Sequence, residues 1–385
     1  MTIYEELGVR TIINAKGPST RVSGGFLSAE VAVAMQSAGE HCVDMAELQA
    51  AASGILSAVT GAEAGIVTSG AAAGLLLGTA ACIAGLDPAK MARLPDTSGL
   101  KNEVVMARSQ RNFYDHAVRA AGVRIVDVGL PDRFAGAGVR DAEAWEFQSA
   151  ITDRTAAVFY VANRNSQPSL ETIVRVAHDA AVPVLVDAAA QLPPASNLRD
   201  FISAGADLVC FSGGKAIGGP QGSGILCGSR DLIMSALLQN LDLDIEWEQW
   251  NPPASLIDKH RLAGLPPHGI GRSCKVGKET IVGLLVALRR FVAESDDLRQ
   301  ARWRALLEDL RQRIGGAGEI RDGHVPMLLV RVPDARSAVL TLQNGAPSVQ
   351  VDPSRIAEGW IGVHPGCLKS GDLETLARRL QEVLT

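Results

Sequence analysis

The chain has 385 residues, 47% of them hydrophobic and 21% charged, enough for one large buried core and a smaller second one. Its formal net charge of −5 argues against a broad nucleic-acid footprint, and no apolar run reaches membrane-spanning length. The opening Met1-Thr-Ile-Tyr-Glu-Glu6 is acidic where a secretory leader is basic, and it lacks that leader's apolar core. The expectation is a cytoplasmic protein with no nucleic-acid partner and no membrane association. Six cysteines are scattered without a Cys-x-x-Cys pair, so no metal site or disulfide framework is expected.

Residues 14–25 read as a polar, turn-rich arm, Asn14-Ala-Lys-Gly-Pro-Ser-Thr-Arg21 followed by Ser23-Gly-Gly25. Helical periodicity then covers about residues 29–60, with Met35, Met45, Leu48, Ile55, Leu56 and Val59 on the apolar face and Gly61 as the stop. Short apolar runs follow at 64–68, 104–107, 123–128, 156–161, 182–186, 207–211 and 224–227. Their near-continuous apolarity implies strands buried on both faces, hence a mainly parallel sheet with helices on each side. Ligands of such sheets bind beyond the carboxyl ends of the strands.

Past Gly224 the texture changes to an acidic, aromatic segment, Asp242-Leu-Asp-Ile-Glu-Trp-Glu-Gln-Trp250. Two helices are expected at 279–294 and 297–314, then a strand at 327–332, a helix, a strand at 360–363 and a last helix at 372–384. The fold class is therefore α/β, a seven-stranded large domain plus a small C-terminal α+β domain. The expected division is 1–45 (arm and first helix), 46–260 (large domain) and 261–385 (linking helix and small domain).

Chemistry concentrates at Asp207-Leu-Val-Cys-Phe-Ser-Gly-Gly-Lys215. A buried strand ends in Ser212-Gly213-Gly214, and the glycines let a bulky ligand approach the backbone closely. A desolvated lysine there loses its charge readily and becomes nucleophilic, which suits an amine that bonds to an aldehyde cofactor. Asp187 closes an earlier strand, 28 residues before Lys215, where a carboxylate can hold a proton on a heteroaromatic nitrogen. Thr68-Ser69-Gly70-Ala71 opens an apolar helix, as either an anion site or an ordinary serine cap. Phe113, Tyr114 and His116 are candidates to lie flat on a planar ring, and His116 is carried forward. Asn163 and Ser166 are placed to bond a ring hydroxyl. Arg272, Lys275 and Lys278 gather at a helix start, where a bound anion would offset their charge against the helix dipole.

With the serine–glycine loop, Asp187 and Ser212-Gly-Gly-Lys215 in one order, the chain resembles the fold-type I pyridoxal-phosphate enzymes. Within them it is similar to the selenocysteine synthase-related group that includes the D-glucosaminate-6-phosphate ammonia-lyases. That likeness rests on Val43-Asp-Met-Ala-Glu-Leu-Gln49, Thr60-Gly-Ala-Glu63, Asp187-Ala-Ala-Ala-Gln191 and Gly271-Arg-Ser-Cys-Lys-Val-Gly-Lys-Glu279. The resemblance implies pyridoxal 5'-phosphate as cofactor, Lys215 as its Schiff-base lysine and Asp187 as the ring-nitrogen partner. It further implies Ser69, Gly70, Ala71 and Ser212 at the phosphate, and Arg272 and Lys275 at a substrate anion, with Arg21 contributing from the arm. The bacterial tRNA-dependent selenium transferases carry an additional N-terminal tRNA-binding domain, which is not expected ahead of the arm here.

The expected reaction is α-proton removal and β-elimination from a hydroxylated, anionic amino acid, yielding a 2-oxo acid and ammonia. Aldol cleavage, racemisation, aminotransfer, sulfur or selenium transfer, and a non-catalytic protein of the same fold are the alternatives. Active sites of this fold type lie at subunit interfaces, so a homodimer or larger homo-oligomer is expected.

Overall fold

Val and Ile crowd the short runs between residues 64 and 228, and β-branched side chains that are apolar on both faces favour buried extended backbone. The computed structural model describes residues 2–130, 132, 140–266 and 268–384. After an N-terminal strand β1 (Ile12–Ala15), these runs form β2 (Ala64–Thr68), β3 (Glu103–Ala107), β4 (Arg124–Val128), β5 (Thr155–Val161), β6 (Val184–Asp187), β7 (Leu208–Ser212) and β8 (Gly224–Gly228). The last seven make one sheet in the order β2-β8-β7-β6-β5-β3-β4. Neighbours run parallel except at β8, which is antiparallel to both β2 and β7. The expected seven-stranded α/β sheet is present, strand for strand.

Helices cover both faces. On one side Leu56 of Met45–Thr60 and Leu284 of Lys278–Ala293 pack with Val158, Val186 and Phe211. On the other, Leu75 and Leu77 of Ala71–Ala84 and Leu237 of Arg230–Leu238 pack with Phe159, Leu185 and Cys210. Phe159 and Phe211 are 1% and 0% exposed. Each contributes about 2–3 kcal/mol by leaving water, and together they anchor both layers to adjacent parts of the same sheet.

Two expectations are corrected. The periodic stretch 29–60 is two helices, Ala29–Gly39 and Met45–Thr60. Asp44 caps the second by accepting from the Glu47 N–H at 2.9 Å, and the apolar spacing simply runs on across the exposed break at His41, Cys42 and Val43. The arm is also more than turns, because its first part is β1, which pairs in parallel with β11 (Ser348–Val351). Ile13 and Ala15 thereby join a third core with Leu307, Leu328, Val349 and Leu376. That core also holds the antiparallel strands β9 (Glu319–Arg321), β10 (Met327–Arg331) and β12 (Trp360–Val363), in the order β12-β10-β9.

Gly224 at the start of β8 backs onto the start of the Ala71–Ala84 helix. A Cβ there would lie 2.5 Å from the Gly70 carbonyl carbon and 2.6 Å from the Ala71 nitrogen. Gly224→Ala is therefore expected to cost about 1–3 kcal/mol through overpacking. A lower urea midpoint with unchanged slope would report it.

Candidate active site

The parallel ladder sets the site. Val161 is registered against Asp187, and Asp187 against Cys210, so β5 and β6 end level and β7 runs two residues further, to Ser212. A cavity of about 460 Å³ opens beyond them. Gly70, Ala71, Asn163, Asp187, Ser212 and Lys215 all line it, which brings six of the expected site residues together.

Lys215 projects from a tight turn. The Gly213 N–H donates to Ser223 O at 2.9 Å, Gly219 N–H to Gly213 O at 2.9 Å, and Gly218 N–H to Lys215 O at 3.0 Å. No side chain fits at the two preceding positions. A Cβ on Gly213 would lie 2.2 Å from Ser223 Oγ, and one on Gly214 would lie 2.7 Å from Gln221 backbone atoms. The Ser-Gly-Gly-Lys run is thus a packing requirement that aims one amine into the cavity.

Burial perturbs both central groups. Desolvation lowers the Lys215 pKa from its ordinary value, partly opposed by the nearby Asp187 charge. Asp187, 9% exposed, is raised by desolvation, against the Ala189 N–H and the Lys215 charge. The Ala189 N–H donates to Asp187 Oδ1 at 3.0 Å. Each charged form is disfavoured until a partner arrives. At the far end of the cavity, Gly70 (φ 120°) starts the Ala71–Ala84 helix without any side-chain cap. Its first N–H groups remain available to an anion.

Other expected residues stand elsewhere. The Ser69 hydroxyl donates to Cys274 O at 2.8 Å, tying the helix start to the segment that carries Arg272. His116 is exposed and accepts from Arg119 Nη2 at its Nδ1, 2.9 Å away. Tyr114, not His116 or Phe113, lines the cavity. The reason is the helix Asp115–Ala120, which turns His116 outward while Asp115 is pinned by Arg111 at 2.5 Å and Arg119 at 3.2 Å. Arg21 donates to Gln350 Oε1 at 3.0 Å. Arg272 and Lys275 line a separate cavity of about 430 Å³, where Arg272 donates to Asn240 O at 2.9 Å and to Asp242 at 3.0 Å. Thr20, Asn112, Gln191 and Gln221 line the Lys215 cavity without having been singled out. Only Gln191, four residues past Asp187, carried a signal in its motif.

A model of the aminotransferase class-V family matches residues 109–241. The chain is 31% identical to 5'-C-glycyluridine monooxygenase-decarboxylase of a Streptomyces species, over 99% of this chain and 92% of the relative. It is 28% identical to D-glucosaminate-6-phosphate ammonia lyase of Salmonella typhimurium, over 99% and 97% of the two chains. A solved structure of D-glucosaminate-6-phosphate ammonia-lyase superposes with a TM-score of 0.81, at 28% identity, over 99% of this chain and 98% of that one. This chain belongs to the fold-type I pyridoxal-phosphate enzymes, in the group related to selenocysteine synthase and D-glucosaminate-6-phosphate ammonia-lyase. It is a pyridoxal-phosphate-dependent, ammonia-lyase-like enzyme.

The residues present fit that cofactor. Lys215 offers an amine with a lowered pKa, Asp187 a buried carboxylate in want of a cation, and the uncapped helix start a seat for a phosphate. Of the free thiols, Cys210 and Cys227 are buried in the sheet and pushed up in pKa, Cys227 to about 12. Burial also pushes Cys367 up to about 11.

The lowered Lys215 pKa makes a stability prediction for the cofactor-free protein. The unfolded chain binds more protons than the folded one between the folded value and the ordinary 10.5, so stability rises with pH through that window. Lys215→Met should raise the urea midpoint at pH values below both and flatten the rise. An unchanged pH profile of urea midpoints would refute the burial argument.

Proposed function

We propose that this enzyme removes ammonia from a hydroxylated, anionic α-amino acid by α-proton removal and β-elimination. The observation that carries the reading is the cavity of about 460 Å³ in which Lys215 is the sole cation among the described lining residues. Bound there, pyridoxal 5'-phosphate supplies an aldehyde that captures the substrate amine and a ring that takes up electrons released at Cα. Lys215 Nζ, with its pKa lowered by burial, takes the α-proton as general base. The Asp187 carboxylate would hold a proton on the ring nitrogen, and the positive charge there would offset the cost of its own burial. Tyr114 would cover one ring face, Asn163 and Gln191 would reach the ring hydroxyl, and the Gly70–Ala71 N–H groups would hold the phosphate together with Ser212. In net terms a 2-amino-3-hydroxy acid becomes a 3-deoxy-2-oxo acid plus ammonia, with no external oxidant or acceptor.

The same reading assigns the anion-holding work of Arg21, Arg272 and Lys275 to a homodimer or larger assembly, where these cations serve a neighbouring subunit's cavity. Phe113 and Tyr114, 91% and 60% exposed beside the cavity, offer apolar surface for that neighbour to cover. No helix among the described residues is long and apolar enough to cross a membrane, which is compatible with a cytoplasmic enzyme.

A second reading is favoured by the 31% identical monooxygenase-decarboxylase. On it, the bond broken is that to the α-carboxylate, and dioxygen is consumed. Assays of the cofactor-loaded enzyme over hydroxylated D- and L-amino acids separate the two. Elimination predicts ammonia and 2-oxo acid in equal amounts without an added acceptor. Dioxygen uptake with carbon dioxide release favours the second reading, and a strict need for a 2-oxo acid acceptor overturns the lyase. Lys215→Ala is expected to lower turnover by at least about 10²-fold, and borohydride should fix the cofactor on Lys215 in the parent enzyme alone.

A further inference from the structure

Three polar residues on the wall of the Lys215 cavity are left without a role in holding the cofactor: Thr20, Asn112 and Gln221. Asn112 is engaged within its own loop, where its Nδ2 donates to Gln110 O at 3.3 Å and its Oδ1 accepts from the Tyr114 N–H at 2.8 Å. Thr20 differs. Its Oγ1 accepts from Gln221 Nε2 at 2.9 Å, and its own proton meets no acceptor among the described residues. A hydroxyl carries one proton and two lone pairs, so a donor facing one lone pair directs the proton away from Gln221. Thr20 is exposed where it lines the cavity, and what it offers there is an O–H donor.

That donor is held from both sides. The buried Asn14 closes the loop that carries it, its Nδ2 donating to Gly17 O at 3.0 Å and to Gly24 O at 2.7 Å while its Oδ1 accepts from the Lys16 N–H at 3.1 Å. The His364 N–H donates to Ala15 O at 2.8 Å and ties the base of the same loop to the small domain. Gln221 is wedged between two glycines: a Cβ on Gly24 would lie 1.9 Å from its Oε1, and one on Gly214 would lie 2.7 Å from its backbone. Its Oε1 is buried with no hydrogen-bond partner among the described residues. An unsatisfied buried oxygen calls for an explanation, and the bond that Nε2 makes to Thr20 supplies one. A side chain confined in this way has little rotamer freedom left to lose, so the contact it directs is preorganised.

We propose that Thr20 is a specificity-determining residue that donates a hydrogen bond to the α-carboxylate of the bound amino acid, and that Gln221 is the positioning residue that aims it. The assignment rests on the reading of the Lys215 cavity as the place where cofactor and amino acid meet. Lys215 is the only cation among the described lining residues, and that reading commits its amine to the cofactor and the α-proton. Within one subunit an α-carboxylate therefore meets no free cation in the cavity, and a preset hydroxyl gives it a charge-assisted hydrogen bond.

The test uses the cofactor-loaded enzyme and reads binding from the change in cofactor absorbance as an amine adds, which needs no turnover. The probes are serine of either hand and 2-aminoethanol, which lacks the α-carboxylate. The parent enzyme should bind serine the more tightly. Thr20→Val, which keeps the shape and removes the hydroxyl, should shrink that preference by about 10-fold or more, as expected for one hydrogen bond to a charged group. Its affinity for 2-aminoethanol should not change. Thr20→Ser should restore the preference, Gln221→Met should shrink it in part with Thr20 still in place, and thermal melts of all three variants should match the parent's. The proposal is overturned if the parent enzyme binds serine and 2-aminoethanol equally. It is equally overturned if Thr20→Val weakens both amines alike, the result expected of a residue that merely walls the cavity. An unchanged preference in Gln221→Met overturns the positioning role. A protein that shows no cofactor band on loading sinks the reading of the cavity itself, whereas a band without a carboxylate preference sinks the Thr20 assignment alone.

Discussion

The register of three parallel strands is the constraint on which the site depends. Val161, Asp187 and Cys210 stand abreast on β5, β6 and β7, so β5 and β6 end at the same height and β7 carries Ser212 just beyond them. A slip of one residue would turn Asp187 to the other face. Packing on both faces opposes such a slip, because it would exchange Leu185 with Val184 and Val186 between opposite cores. The apolar packing that holds the sheet is therefore also what holds an amine and a carboxylate in one small volume.

Inside that volume, electrostatics and folding pull against each other. Lys215 and Asp187 are both shifted towards their neutral forms by burial, and each only partly compensates the other. A protein without function to serve would fill such a space with apolar side chains. A ligand that bonds the amine, carries positive charge to the carboxylate and presents an anion to the uncapped helix end would offset that cost. Stability and cofactor affinity are thus linked through the same desolvated groups.

Chain connectivity adds a second layer of control. β1 belongs to the small core through β11, and the residues just after it return to the Lys215 cavity, where Thr20 forms part of the wall. Gln221 Nε2 donates to Thr20 Oγ1 at 2.9 Å, while the Gln221 backbone packs against Gly214. The segment carrying Lys215 and the N-terminal arm are held together by one side chain.

Sequence alone determined a good deal here. Runs of Val and Ile with no polar alternation leave no exposed face, and that requires a parallel sheet under two helical layers. Ser212-Gly213-Gly214-Lys215 and the strand-end Asp187 named the central pair, since few other roles suit a lysine between glycines at the end of a buried strand. Long-range geometry decided the rest. The direction of Tyr114 against His116 depends on where a helix begins and on the Arg111–Asp115–Arg119 ion pairs that pin it. β1 escaped notice because a four-residue strand has no period of its own and exists only through its partner more than 300 residues away. Arg272 was expected at a substrate anion, but the Asp242 carboxylate meets its guanidinium at 3.0 Å, and only packing across the chain settles such a pairing.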